Sequence, residues 1–278
     1  MIELFHYEFF INAIWASLLT AITCGIIGTY IVSRRIVFIS GGISHSSFGG
    51  LGIGYYLGIN PIIGAAVFSV LTALGIEALS RKTELREDSL IGMMWSFGMA
   101  VGIIFIFLTP GYASNLLGFL FGNILTVSKL DLFMMAILTM AVILVFVALF
   151  KEILFLSFDR EFAETQGIPV SSISNLLIAL VALTIVINIR TTGTIMVISL
   201  LTIPQATANI ISQDFKRVIF LSIGFAFLSS ILGLFLSYYL NIPSGAAIIL
   251  FSIILYILVK SVHFIFLRLH LSEKLKNL

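Results

Sequence analysis

The sequence predicts an all-α polytopic membrane protein, with about eight or nine transmembrane helices and one re-entrant helix. Three observations carry that prediction. Hydrophobic residues make up 60% of the 278 residues and charged residues only 10%, against roughly 45–50% and about 25% in soluble domains. Apolar runs of about 20 residues, the length that crosses a bilayer as a helix, recur along the whole chain. Lys and Arg gather in alternate connections between those runs, the pattern that cytoplasmic loops show. No stretch is long and polar enough for a soluble domain, so residues 1–278 read as a single transmembrane domain.

The runs fall at 10–33, 36–58, 62–80, 89–108, 131–150, 171–189, 193–211, 218–239 and 245–267. The opening MIELFHYEFF lacks a basic segment and does not resemble a cleaved signal peptide, so the first run is expected to be retained. Leu116–Val127 (LLGFLFGNILTV) is too short to span and predicts a re-entrant or interfacial helix. With the N-terminus outside and the C-terminus cytoplasmic, 13 of the 15 Lys and Arg fall on the cytoplasmic side, leaving Lys129 and Arg190 outside. The longest cytoplasmic connection, Lys151–Val170, is charged and mildly amphipathic. Gly167 and Pro169 stop a helix there, which predicts a short helix lying at the cytoplasmic face.

The second run holds the chain's most unusual composition. Between Ile39 and Gly58 it carries His45 flanked by Ser44, Ser46 and Ser47, with glycines at 41, 42, 49, 50, 52 and 54. An ionisable group at membrane depth is costly and normally faces a bundle interior or a water-filled path. Small residues permit close helix packing, and also the broken turns that line transporter sites. Imidazole binds zinc and other divalent transition metals. A histidine that bonds a neighbouring helix is the structural alternative. Of the other histidines, His6 lies near the outer end, and His263 and His270 near the inner end, as interfacial or solvated groups. Asn188, Gln205 and Asn209 are further polar residues inside spans. Pro204 should open its helix around Ile203–Ala206 and free a carbonyl, and Gln205 either lines a path or ties helices together.

Several chemistries are excluded or poorly supplied. The chain has no GxxxxGK[ST] phosphate loop, and no HExxH, CxxC or GxSxG. The spans contain almost no Asp or Glu; Glu77 sits near a cytoplasmic end and Asp131 near an outer one. Intramembrane catalysis and carboxylate-coupled secondary transport therefore lack their usual groups. Cys24 is the single cysteine, so the chain forms no internal disulfide and no thiolate cluster, and the residue reads as packing. Nothing suggests nucleic-acid binding; lipid is the expected surroundings.

Six segments in order resemble the permease subunits of bacterial ATP-driven importers for zinc, manganese and iron, the ABC-3 type metal permeases. They are ISHSSFGGLGIGYYLGINP (43–61), LREDSLIG (85–92), LFGNILTVS (120–128), SFDREFAETQGIPV (157–170), TGTIMVISLLTIPQATA (192–208) and LSYYLNIPSGAAI (236–248). The resemblance implies a homodimeric core packed like the vitamin B12 and siderophore (type II) importers, in the bacterial cytoplasmic membrane. It implies a separate cytoplasmic ATP-binding subunit below and an extracytoplasmic metal-binding protein above. It implies no permanently bound cofactor, with Zn2+ or Mn2+ as the transported substrate. Phe158–Gly167 then resembles the coupling helix that meets the ATPase, with Phe158, Asp159, Glu161 and Gly167 as its working residues. Leu85–Ser89 resembles a second cytoplasmic contact. His45, Ser44, Ser46 and Gln205 would border the path, with His45 as the metal contact. The family often has an acidic residue four positions before this histidine; here the position is Gly41. The same architecture carrying a metal chelate or other cargo, and a secondary transporter or channel acting without an ATPase, are the alternative readings.

Overall fold

A computed structural model describes residues 7–110 and 122–276. The helices are α1 (Glu8–Ser33), α2 (Phe38–Leu57), α3 (Pro61–Lys82), α4 (Glu87–Leu108), α5 (Lys129–Ala148), α6 (Phe150–Phe158) and α7 (Arg160–Thr165). They continue as α8 (Val170–Thr192), α9 (Thr194–Leu200), α10 (Ile203–Ile211), α11 (Phe215–Leu240) and α12 (Ser244–Lys276). Eight segments are long and apolar enough to cross a membrane, α9 and α10 counting together as Thr194–Ile211. The predicted all-α membrane fold is what forms. His6 and the 116–121 part of the expected re-entrant helix lie outside the described residues. Of its remainder, Ile124–Thr126 is a single 3-10 turn.

The helix missing from those eight is α2. Its serines and glycines lower its hydropathy, yet its 20 residues span about 30 Å at the usual helical rise. It packs against α3 and α4 rather than lipid. Gly50 lies against the Gly64 carbonyl of α3, and Gly52 against Gly102 of α4. Gly98 of α4 lies against Ser46 in return. A methyl group at any of these positions would meet backbone, so the glycines serve close helix approach. They do not break the helix: α2 runs unbroken from Phe38 to Leu57. The broken turn that glycine permits is therefore not used here.

The real interruption lies between α9 and α10, at Leu201–Thr202, just ahead of the Ile203–Ala206 stretch expected to open, which is helical. Proline has no N–H to offer the carbonyl four residues back, here that of Leu200. The Gln205 side chain replaces it, Nε2 donating to the Leu200 carbonyl at 3.1 Å and to the Cys24 carbonyl of α1 at 2.7 Å. Gly28 leaves room for that amide. Elsewhere Asn188 ties α8 to α1, its Oδ1 accepting from Thr20 Oγ1 at 2.8 Å. Lys129 and Arg190, which stand apart from the charge pattern, are both paired: Lys129 with Glu8 at 2.6 Å and Arg190 with Asp131 at 2.9 Å.

Close packing around α2 makes a testable asymmetry. Gly50→Val forces backbone apart and should destabilise the fold by about 1–3 kcal/mol or more. Gly75 of α3 has nothing near its missing side chain, so Gly75→Ala should be neutral or stabilising by up to roughly 1 kcal/mol. Thermal unfolding of both variants in detergent reads the difference.

Candidate functional site

Thirteen of the twenty residues of α2 are buried, and its remaining stripe includes Phe38, Gly41, His45 and Tyr56. His45 is half-buried on that stripe. Its ring stacks on Trp95 of α4, with centroids 4.3 Å apart and planes 3° apart. Trp95 itself is 38% exposed. One turn before His45, a side chain added at Gly41 would meet the Trp95 ring at 3.7 Å and Ile198 Cδ1 of α9 at 3.9 Å. Those are ordinary contact distances. The histidine therefore sits in an open face where α2, α4 and α9 meet, held flat by an aromatic wall.

The other expected path residues are placed differently. Ser44 and Ser46 are fully buried on the packed sides of α2. Ser46 Oγ donates to its own helix at Ile43, while Ser44 Oγ is enclosed with no hydrogen-bond partner. Gln205 is fully buried and engaged as a helix tie. Of these four residues, His45 is the one that reaches an open face of the chain. Among the described residues, no three His, Cys, Asp or Glu side chains gather to hold an ion. A cavity of about 590 Å³ does open between α1, α5 and α11, but its walls are Ile, Val and Phe with Lys216 at one end. Those walls offer a cation no ligand, and His45 does not line them.

The cytoplasmic-segment expectations find a definite geometry. Asp159 caps α7, its Oδ1 accepting from the Phe162 N–H at 2.9 Å. Gly167 ends α7 in the left-handed region with φ +74. There its N–H donates to the Glu164 carbonyl and the Ile168 N–H to the Ala163 carbonyl, the Schellman closure that favours glycine. Phe158, Phe162, Asp159 and Glu161 are exposed, while Ala163 is buried beneath them. The segment is a short knob with an apolar and acidic outer face.

Glu77, a lone carboxylate near a helix end in the sequence, is a hub in the fold. Glu77 of α3 is 1% exposed. Its Oε1 accepts from Arg81 Nη2 at 2.7 Å, Arg81 Nε at 3.0 Å, Arg160 Nη1 of α7 at 3.2 Å and Ser174 Oγ of α8 at 2.6 Å. Oε2 lies 3.9 Å from Arg34 Nη1, in the turn between α1 and α2. Burial opposes the charge on Arg34, but Tyr30, Glu77 and Glu87 outweigh it and raise its pKa, so the guanidinium stays charged. Arg81 reaches on to Ser171 and to Asn175 Oδ1 at 2.9 Å. Removing one partner from a buried ion pair typically costs about 3–5 kcal/mol, so these elements are held as a set. The signal in the sequence was faint: one Glu in an apolar run, four residues before an Arg.

Residues 6–263 match the ABC 3 transport family. The chain belongs to that family. It is 35% identical over 253 residues to the manganese transport system membrane protein MntC of Listeria monocytogenes, covering 91% of this chain and 90% of that one. It is 33% identical over 253 residues to the manganese import system permease protein ScaB of Streptococcus parasanguinis, with 91% and 90% covered. Among solved structures, a chain of PsaBC from Streptococcus pneumoniae in complex with Fab superposes with a TM-score of 0.82 at 32% identity, covering 93% of this chain and 95% of that chain. A metal-chelate type ABC transporter in an inward-facing conformation shares the fold, with a TM-score of 0.70 at 16% identity. Family membership makes the chain a multi-pass permease subunit, with ATP hydrolysis on a separate chain. It also implies an ATP-binding subunit and a substrate-binding protein as partners.

The position of Gln205 predicts a structural phenotype. Gln205→Leu leaves the Leu200 and Cys24 carbonyls unpaired, which should cost about 1–3 kcal/mol. Uptake per folded molecule should be retained. Thermal unfolding together with uptake normalised to folded protein checks both halves.

Proposed function

We propose that this chain is the permease of an importer for a divalent transition-metal ion, with manganese ahead of zinc. The observation that carries this reading is His45, presented on an open stripe of α2 between Trp95 and the small residue Gly41. Two copies related by a two-fold axis would bring these stripes to one seam, giving a path with one imidazole from each side. The whole chain then acts as one transmembrane permease domain, with the N-terminus outside and the C-terminus in the cytoplasm, the orientation that the distribution of Lys and Arg favours. The metal-binding protein delivers the ion at the outer mouth. ATP binding closes the ATPase pair, which pushes on the α7 knob through Phe158, Phe162 and Glu161 and rocks the helices around the seam.

A ligand-poor seam suits this task. An ion must be met strongly enough to pass and weakly enough to leave. One imidazole per protomer, with water completing the shell, offers a brief contact. The names of the relatives support manganese, and a hard ion that keeps its water and carbonyl ligands fits the scarcity of fixed ligands.

The complete importer, reconstituted in proteoliposomes with its ATPase and binding protein, should take up Mn2+ only with ATP, and in preference to Zn2+. Uptake by this chain alone without nucleotide would overturn the reading. Gly41→Asp places a carboxylate one turn from His45 on the same face. It should fold, bind Mn2+ more tightly, and slow its release several-fold in stopped-flow transport. Gly167→Pro removes an N–H bond and cannot adopt the observed φ. It should cut uptake per ATP at least tenfold; Glu161→Ala should lower it in the same direction.

A further inference from the structure

The inference drawn here rests on the coupling role of α7 just described and adds the part that carries its motion inward. The two acidic neighbours of Arg160, Asp159 and Glu161, are exposed on the outer face of the knob. Arg160 faces the other way, is partly buried, and reaches Glu77 Oε1 at 3.2 Å. Through that one oxygen α7 is bonded to α3 and shares a partner with Ser174 of α8.

The second oxygen of the same carboxylate is enclosed and accepts no hydrogen bond. Arg34 Nη1 stands 3.9 Å from it and is itself held by the Tyr30 hydroxyl at 3.1 Å. Arg34 precedes Arg35, a non-glycine residue at φ +60, in the short turn that starts the His45 helix. A buried carboxylate that loses one of its cations is stabilised by drawing in another, even where Arg81 remains. It can exchange one for another when two compete. A small approach of Arg34 would turn a long ion pair into a hydrogen bond at a vacant acceptor, just as displacement of α7 draws Arg160 off the other oxygen.

We propose that Glu77 is the positioning residue that relays movement of α7 to α2, by exchanging Arg160 for Arg34. In the arrangement described above, Arg160 is hydrogen-bonded at 3.2 Å, while Arg34 makes only the longer ion pair at 3.9 Å. In the alternate arrangement, Arg34 closes on Oε2 and pulls the turn that precedes Phe38, so the His45 stripe shifts with it. Arg81 and Ser174 stay bound throughout and keep the carboxylate in place.

The test uses the complete importer in proteoliposomes, with assembly, ATP hydrolysis and Mn2+ uptake measured on the same preparation. Arg160→Ala should still co-purify with the ATPase and hydrolyse ATP within twofold of wild type. Its Mn2+ delivered per ATP should fall at least tenfold. Arg160→Lys keeps a cation and should recover at least a third of the wild-type ratio. Arg34→Gln, which lacks the second cation, should reproduce the loss without touching the knob. An unchanged ratio in Arg160→Ala or Arg34→Gln overturns the relay. So does failure of Arg160→Ala to co-purify, which would make Arg160 a docking residue instead. Wild-type uptake that ignores ATP overturns the relay and the importer reading together, whereas ATP-driven wild-type uptake with an unaffected Arg160→Ala overturns the relay alone.

Discussion

A polar helix can cross a lipid bilayer only if other protein covers it, and that constraint organises this molecule. In α2, the Ser46 and Ser47 hydroxyls turn back on the helix's own carbonyls, Ser47 Oγ donating to Ser44 O at 2.6 Å. Glycines bring the backbones of α3 and α4 into direct contact. The reward is a stripe along one edge where an imidazole can be offered without exposing the rest of the helix to hydrocarbon.

The end that carries Glu77 and α7 follows a different rule. Charges there are concentrated rather than dispersed: Glu77 collects three arginines from three parts of the chain. Isolated surface ion pairs contribute little, but a carboxylate with 1% exposure holds its partners far more firmly. The knob formed by α7 is therefore anchored on its inner side and free on its outer side. That asymmetry is what a segment needs if it is to receive a push at one face and pass it on at the other.

Much of this was legible in the residues. The apolar runs at 10–33, 62–80 and 218–239 correspond to α1, α3 and α11 with ends shifted by a few residues, because terminal turns extend past the apolar stretch until a cap is met. Gly167 was readable as a helix stop because its left-handed conformation suits that residue. The proline break was legible, but its position was not: the interruption falls before Pro204, at Leu201–Thr202, since the lost bond belongs to the preceding turn. The glycines were ambiguous between hinge and close contact, and packing against Gly64, Gly98 and Gly102 decides that. Glu77 was opaque because its partners lie far apart in sequence; the contact of Glu77 with Arg160 spans 83 positions. Which side of α2 carries Ser44 and which carries His45 likewise depended on what surrounds the helix.

The composition of α2 has a consequence for how the protein is made. Among the described residues, the other long helices are apolar enough, by length and composition, to cross a membrane. The one that carries His45 falls short of that standard, and its covering surfaces on α3 and α4 are synthesised after it. Its stable insertion is therefore expected to depend on the chain up to about residue 108, where α4 ends. Biogenesis is then cooperative across the first four helices, and damage to α4 far from the histidine would be felt first as failure of α2 to enter the membrane.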